Sequence, residues 1–247
     1  MGAFRYPVQV TTKVLYEARD GVAWMTLNRP AVHNAIDLEL RDALWALLDA
    51  AEADDDVGVV IFRGAGGQAF SAGADISEFG TAPSYTAARS SRLERDLWGR
   101  ILHFTKPTVA AIHGYALGAG CELSLLCDFR IAAEDARIGL PEAKLGYIPT
   151  AGGTQTLQRT IGRGRALDML LSAEPISAQT ALDYGLVHRV VPPQRLEAEA
   201  EALAQRLLAQ PAASLLAARR ALLEGADLSL ESAIRLEARL RQRLALS

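Results

Sequence analysis

Aromatic residues are scarce in this sequence, at 6% of 247 residues, although half of the chain is hydrophobic. The core must therefore be built from Ala, Leu, Val and Ile, a composition that suits helices packed on a sheet. Strong net charge is also lacking, since 26 Lys and Arg stand against 29 Asp and Glu, a formal charge of −3. The chain thus has no positive electrostatic field that would attract nucleic acid or an anionic membrane surface.

Long apolar runs and paired cysteines are missing as well. No stretch reaches the ~18 consecutive apolar residues of a membrane span, and residues 1–13 contain no apolar signal region. We therefore expect a cytoplasmic protein. Cys121 and Cys127 are six positions apart, which fits neither a redox pair nor a zinc site, and we expect both in the core.

The order of the predicted elements indicates an α/β fold. The Asp20-Gly21 turn predicts a hairpin between strands at Lys13–Ala18 and Gly21–Leu27, and Asp37 is placed to cap the helix that follows. Apolar runs rich in β-branched residues predict further strands. These are Val57–Phe62, Pro107–His113 and Phe129–Ala133, with shorter strands at Ile138–Leu140 and Leu186–Val191.

Helical patterns occupy most of the remaining chain. Cys121–Cys127 and Thr154–Leu171 are predicted helical, whereas the polar stretch Gly80–Leu102 predicts a mobile surface helix or lid rather than core. From Arg195 the chain is helical, and the apolar stripe of its last helix requires a partner. We divide the chain into residues 1–194, a core with the active site, and residues 195–247, a helical assembly region.

Two glycine-rich segments, Phe70–Asp75 and Gly114–Gly120, are each predicted to lie where a strand passes into a helix. Small residues let a ligand approach the backbone, and a helix N-terminus leaves N–H groups without intrahelical acceptors. Either segment alone is typical of an ordinary tight turn. Two such sites converging on one carbonyl oxygen would form an oxyanion hole.

Two glutamates are candidates for acid/base chemistry. Glu122 lies in an apolar helical stretch, and a carboxylate buried there costs stability unless it is paired or used, which favours function over a simple interaction with the helix dipole. Glu142, taken alone, could equally be a solvated loop residue or a partner of Lys144. Both interpretations of Glu142 stay open at this point.

Other catalytic classes have little support. The four histidines share no metal-ligand spacing, and Ser71 and Ser124 lack the Gly-x-Ser-x-Gly elbow of a serine hydrolase. The segment Gly64-Ala65-Gly66-Gly67 lacks the Gly-Lys-Ser/Thr ending of a P-loop and the helix context of a dinucleotide site. We therefore expect no metal, nucleoside triphosphate or NAD.

Five motifs follow one another within residues 13–240. They are Leu27-Asn28-Arg29-Pro30, Phe70–Ile76, Gly114–Leu123, Pro141-Glu142 and Gly152-Gly153-Thr154-Gln155. In order and spacing they resemble the enoyl-CoA hydratase/isomerase (crotonase) superfamily. The resemblance implies a spiral of ββα units with a C-terminal helical region, an acyl-CoA thioester substrate, no cofactor apart from the CoA of the substrate, and a homotrimer or dimer of trimers.

The resemblance also implies roles for single residues. The oxyanion hole falls on the backbone N–H groups of Ala74 and Ala119. Glu122 and Glu142, which are 142 − 122 = 20 positions apart, match the two glutamates of the family's hydratases. Relatives that isomerise, dehalogenate or decarboxylate commonly replace the first glutamate, so its presence favours a hydro-lyase that converts 2-enoyl-CoA to 3-hydroxyacyl-CoA. Substrate and CoA contacts are implied for Arg29, Ala35, Ala72, Asp75, Ile76, Gly118 and Thr150.

The sequence departs from the family pattern in three respects. Ala119 stands where the family often has glycine, and Thr150 stands where many hydratases have glycine beside the reacting water. The sequence ends at Ser247 without the family's usual closing segment, which contributes to the CoA site.

Two alternatives stay open at this point. One is an enoyl-CoA isomerase or another enolate-forming acyl-CoA enzyme of the same superfamily. The other is a non-catalytic RNA-binding relative, which the sequence disfavours because no basic stripe carries aromatic residues.

Overall fold

The computed structural model describes residues 12–78, 80, 81, 84 and 95–245, and its strands form two sheets. The strands are β1 (Val14–Arg19), β2 (Val22–Leu27), β3 (Val59–Gly64), β4 (Ala69–Ser71), β5 (Thr108–Ile112), β6 (Tyr115–Leu117), β7 (Phe129–Ala133), β8 (Arg137–Gly139), β9 (Ile176–Ser177) and β10 (Arg189–Val191). The α-helices are α1 (Leu38–Ala53), α2 (Leu97–Leu102), α3 (Ala119–Leu126), α4 (Gly153–Ile161), α5 (Arg163–Ser172), α6 (Ala178–Tyr184), α7 (Leu196–Leu208), α8 (Ala212–Gly225) and α9 (Leu230–Leu244). This alternation confirms the predicted α/β class.

The two sheets are built by a chain that passes repeatedly between them. The large sheet has the order β1-β2-β3-β5-β7-β10, and the small sheet has the order β4-β6-β8-β9. Both are parallel except for the β1–β2 and β8–β9 pairs. Each of β3, β5 and β7 is followed by a short strand of the small sheet, as expected for a spiral of ββα units.

The large sheet is buried on both faces. Alternate residues of its strands belong to two separate apolar clusters, for example Trp24 and Ile61 on one side and Met25 and Phe62 on the other. Helix α7 covers the first face, and helices that include α1 and α3 cover the second. This explains why the strands appear in the sequence as continuous apolar runs.

Local sequence signals account for the N-terminal third of the fold. The predicted hairpin is present, with Arg19 paired to Val22 across the Asp20-Gly21 turn. The carboxylate Oδ1 of Asp37 accepts a hydrogen bond from Leu40 N at 2.8 Å and caps α1, as predicted. Both cysteines are buried.

Two expectations need correction. The glycine-rich segments do not pass directly from a strand to a helix, because each contains residues of a short strand of the small sheet, β4 or β6. Three-residue strands are too short to show a periodic pattern. The predicted surface stretch Gly80–Leu102 ends in α2, whose Leu97 and Ile101 are fully buried in the core. Residues 82, 83 and 85–94 of that stretch lie outside the described residues.

The chain is helical after Arg195, as predicted, and the described residues there form α7, α8 and α9. Helix α7 packs on the large sheet, whereas α8 contributes no buried residue and packs against α9. Leu236 and Leu240 of the predicted stripe are buried. The boundary at residue 194 stays a prediction. Among the described helices, none has the length and apolar character needed to cross a bilayer.

Candidate active site

Glu122 is held in the first turn of α3 with its side chain buried. Residual exposure is 2%, as its apolar neighbours predicted. Its Oε1 accepts hydrogen bonds from the backbone N–H groups of Ala151 and Gly153, both at 2.8 Å. These donors belong to the turn that leads into α4, so this turn fixes the orientation of the carboxylate.

Glu142 lies in a short 3-10 helix, Pro141–Leu145, with its carboxylate directed inward. Oε2 is buried and has no hydrogen-bond partner among the described residues. Burial raises the pKa of Glu142, and a hydrogen bond with its own backbone opposes the shift only in part. Such a carboxyl group is suited to carry a proton.

Gly118 brings Glu142 next to the second glycine-rich segment. A Cβ built on Gly118 would lie 3.0 Å from Oε1 of Glu142. The φ of +50° and ψ of −125° at Gly118 are also strained for any residue with a side chain. Glycine is therefore required here for two separate reasons.

The structure brings the two glutamates to one place. Glu122 N donates to Gly118 O at 2.9 Å, and Gly118 in turn lies against the Glu142 carboxylate. Burial raises the pKa of the Cys121 thiol, and the charges of both glutamates raise it further. Both carboxylates thus lie near the same thiol.

Ala74 and Ala119 lie on two segments that are in direct contact. A Cβ built on Gly73 would be 2.8 Å from Leu117 O and 3.3 Å from Ala119 N. Ala119 opens α3, so its N–H has no intrahelical acceptor, and in the described part of the chain neither this N–H nor that of Ala74 is hydrogen-bonded. Two backbone donors are therefore available beside the two carboxylates.

Arg29 and Asp75, predicted to line the CoA pocket, bind each other. Arg29 Nη1 donates to Asp75 Oδ2 at 2.9 Å and to Ala35 O at 2.7 Å, while Nη2 is 3.2 Å from Asp37 Oδ2. The hydroxyl of Ser77 and then Arg29 lower the pKa of the Asp75 carboxyl. These charges fix the loop beside Ala74.

The other predicted contact residues differ in exposure. Ala35 and Gly118 are buried, whereas Ala72, Ile76 and Thr150 are exposed and can be reached by a ligand. Thr150 directly precedes Ala151, one of the two donors to Glu122. The assigned roles of all these residues stay predictions.

Sequence reasoning did not find the residues that orient the candidate groups. Ala151 and Gly153 bind Glu122, and Ile36 binds the carbonyl of Gly73 at 2.8 Å. The sequence signal for them was Gly152-Gly153, which belongs to one of the family motifs but had no physical role assigned to it. These hydrogen bonds use backbone N–H and C=O groups, which nearly all residue types share, so residue identity does not reveal them.

Comparison with known proteins identifies the family of this chain. The family model described as enoyl-CoA hydratase/isomerase matches residues 17–245. The 2,3-dehydroadipyl-CoA hydratase of Escherichia coli (strain K12) is 40% identical over 234 residues, 95% of this chain and 91% of that protein. The short-chain-enoyl-CoA hydratase of Clostridium acetobutylicum is 35% identical over 224 residues, 91% of this chain and 86% of that protein.

Solved structures show the same relationship. The enoyl-CoA hydratase from Bacillus anthracis aligns with a TM-score of 0.90 at 36% identity, over 96% of this chain and 92% of that chain. An enoyl-CoA hydratase subunit from Geobacillus kaustophilus aligns with a TM-score of 0.89 at 35% identity, over 96% and 91% of the two chains. As its motifs predicted, the chain belongs to the enoyl-CoA hydratase/isomerase (crotonase) family.

Proposed function

We propose that this protein is an enoyl-CoA hydratase, a hydro-lyase that adds water reversibly to a 2-enoyl-CoA and forms a 3-hydroxyacyl-CoA. The observation that carries the proposal is the pair Glu122 and Glu142 placed beside two available backbone N–H groups. The names of the hydratase relatives support the same reaction.

The backbone N–H groups of Ala74 and Ala119 bind the thioester oxygen in this mechanism. Water adds to the β-carbon, and negative charge moves onto that oxygen as the enolate forms. Donors that are already in place stabilise this charge without reorganisation, each lowering the barrier by about 3 kcal/mol. Both N–H groups are available for this role in the described structure.

Glu122 acts as the general base. The N–H groups of Ala151 and Gly153 fix the carboxylate through Oε1, and this carboxylate accepts the proton of the attacking water. The oxygen of that water forms the new C–O bond at the β-carbon while the electron pair of the double bond moves into the enolate. The turn that carries Ala151 and Gly153 keeps the base aligned throughout the step.

Glu142 acts as the general acid. Its buried Oε2 and raised pKa favour the protonated form, which delivers its proton to the α-carbon as the enolate collapses. The products of the step are the 3-hydroxyacyl thioester, a neutral Glu122 and an ionised Glu142. Proton exchange with solvent then restores the starting state.

Binding of the CoA thioester is assigned to the edge of this site. Arg29, Ala35, Ala72, Asp75 and Ile76 line one side, and the exposed Ile76 supplies apolar surface there. Gly118 and Thr150 complete the site next to the reacting carbons. The reaction requires no cofactor beyond the CoA of its substrate, and the cytoplasm is the predicted location.

Assembly into a homotrimer or dimer of trimers is part of this proposal. Helix α8 has no buried residue, and exposed leucines and an isoleucine lie on the packed pair α8 and α9. We define the C-terminal apolar face as Leu222, Leu223, Leu230 and Ile234. Exposed apolar surface of this kind is typical of a protein–protein contact, and most such contacts in oligomers join identical chains.

Hydration of crotonyl-CoA by wild type, Glu122→Gln and Glu142→Gln tests the proposal, with the exposed Glu134→Gln as a control. We expect both site variants to lose at least about 10²-fold in kcat, the size of a general acid–base contribution, and the control to match wild type. Near-wild-type rates in both site variants would disprove the assignment. Heavy-oxygen water separates hydration from isomerisation, because only hydration places solvent oxygen on the β-carbon.

A further inference from the structure

Ser71 is fully buried at the end of β4, where its side chain contacts both glycine-rich segments. Its Oγ donates to Asn34 O at 2.8 Å and accepts a hydrogen bond from Gly73 N at 3.2 Å. A Cβ built on Gly120 would lie 2.7 Å from the Cβ of Ser71 and 2.9 Å from its Oγ. The Ser71 side chain thus packs where the segment of Ala74 meets the segment of Ala119.

The direction of the Ala74 N–H depends on the peptide group that joins it to Gly73. Gly73 O accepts a hydrogen bond from Ile36 N at 2.8 Å. In a planar trans peptide the C=O and N–H bonds point in opposite directions, so the Ala74 N–H is directed away from Ile36. Ser71 Oγ holds Gly73 N, and Gly73 is therefore fixed at both of its backbone groups.

Gly73 needs this support because its φ is +102°, outside the regions that most residues adopt. Glycine has the largest backbone freedom to lose, so a defined orientation at this position depends on external contacts. Among the described residues, Ser71 Oγ and Ile36 N supply its hydrogen bonds.

Asn34 anchors the loop that contains Ile36, whose N–H binds Gly73 O. Its side chain is fully buried, with Nδ2 donating to Ala65 O at 2.9 Å and Ala69 O at 2.7 Å, and Oδ1 accepting from Arg29 N at 2.9 Å. Asn34 O, which accepts from Ser71, and Ile36 N are thereby tied to the connection between β3 and β4. Ser71 therefore binds a loop whose position is already fixed by the Asn34 side chain.

We propose that Ser71 is a positioning residue of the oxyanion hole. Its hydroxyl holds the N–H of Gly73 and so fixes the residue that precedes the Ala74 N–H, and its packing against Gly120 sets the spacing to Ala119. It is not a nucleophile, because its hydroxyl is fully buried and donates to a backbone carbonyl. This inference rests on the proposed hydration, for which the two N–H groups must converge on one oxygen.

The experiment compares Ser71→Ala with Ser124→Ala. Ser124 is a matched control, since it is also fully buried and its hydroxyl donates to a backbone carbonyl, Cys121 O, at 2.7 Å. The direct readout is the infrared stretch of a ¹³C-labelled thioester carbonyl in butanoyl-CoA, which is saturated and cannot be hydrated. Hydrogen bonds from an oxyanion hole lower this frequency on binding.

We expect Ser71→Ala to lose at least half of the wild-type frequency shift, and Ser124→Ala to keep it. In crotonyl-CoA hydration, kcat of Ser71→Ala falls about tenfold, less than the loss on deleting a donor, while KM stays within about twofold. A merely structural role would change stability without changing the carbonyl frequency. Ser71→Cys, which keeps a weak donor and acceptor, is expected to fall between wild type and Ser71→Ala.

Full retention of the frequency shift and of kcat in Ser71→Ala would overturn the inference. If Ser71→Ala does not fold, Ser71→Cys decides: a partial loss of the shift supports the positioning role, and a full shift overturns it. A wild type that polarises the carbonyl but hydrates no enoyl-CoA would disprove the proposed function and leave the role of Ser71 intact.

Discussion

Gly153 N donates a hydrogen bond of 2.8 Å to Oε1 of Glu122, and the same glycine leaves no space for a side chain against that carboxylate. A Cβ at position 153 would lie 2.9 Å from Oε1 and 3.0 Å from the Cγ of Glu122. The donor and the close approach come from one residue. Glu122 therefore depends on Gly153 both for one of the two hydrogen bonds to Oε1 and for the space that its carboxylate occupies.

The first prediction concerns Gly153→Ala. The added methyl group must displace the Glu122 carboxylate or Leu140, whose Cδ1 would lie 3.0 Å from it. We expect kcat for crotonyl-CoA hydration to fall at least about 10²-fold, because a misplaced base loses its contribution. Gly164→Ala in α5 is the control, since a Cβ there meets nothing within 4 Å.

The control should retain full activity and gain about 0.5–1 kcal/mol in free energy of unfolding, the usual effect of replacing a helical glycine by alanine. Denaturant unfolding and steady-state rates measure both quantities. Equal kcat values for the two alanine variants would show that Gly153 does not constrain the base.

The second prediction is a pH dependence of stability set by Glu142. Burial raises its pKa in the folded protein, so the native state binds this proton more tightly than the unfolded chain, whose carboxyl has a pKa of about 4.3. The stabilisation is complete below about pH 4.3 and is lost as pH rises through the raised pKa. Glu142→Gln is neutral at every pH.

The free energy of unfolding of Glu142→Gln should therefore increase relative to wild type as pH rises from about 4 to 8. Denaturant unfolding at several pH values measures this difference, with the exposed Glu134→Gln as the control. A difference between Glu142→Gln and wild type that does not change over this range would contradict a raised pKa.

The sequence predicts those parts of the site that depend on residue type. Asp37 as a helix cap and Glu122 as a buried carboxylate follow from side-chain chemistry and local pattern, and the structure confirms both. Glu142 could not be distinguished from a loop residue by local pattern. Only the family motif indicated that it belongs beside Glu122.

The contacts that orient the site are of another kind. Ile36 N binds Gly73 O, and Ala151 N binds Glu122, across 37 and 29 positions respectively, 73 − 36 and 151 − 122. Any residue except proline supplies the same N–H group, so residue identity carries no signal for these bonds. They follow from how the two sheets bring distant segments together.

The third prediction concerns the C-terminal apolar face. Leu222 is 77% exposed on α8, a helix that has no buried residue. Leu222→Glu places a charge in the proposed contact between chains, and we expect the oligomer to dissociate. Sedimentation velocity measures the change, and Leu171→Glu, at a position on α5 that is 76% exposed, is the control. A Leu222→Glu variant with the mass of the wild type would exclude this face from assembly.

The fourth prediction concerns how α8 is attached to the core. Arg219 Nε is 2.9 Å from both carboxylate oxygens of Asp128, which follows helix α3, and its Nη1 donates to Phe104 O at 2.6 Å. Both side chains of the ion pair are only 14% exposed, so Arg219→Met leaves a nearly buried carboxylate without its cation.

We expect Arg219→Met to lower the free energy of unfolding by about 2–3 kcal/mol, somewhat less than for a fully buried pair. Arg220→Met is the matched control, because the neighbouring Arg220 forms an exposed pair with Glu224 that is worth about 0.3–0.5 kcal/mol. Hydrogen exchange should show faster opening of α8 and α9 in Arg219→Met alone. Equal losses of stability in the two variants would mean that Arg219 does not anchor the helix pair, and α8 would then be held to the core mainly by its packing on α9.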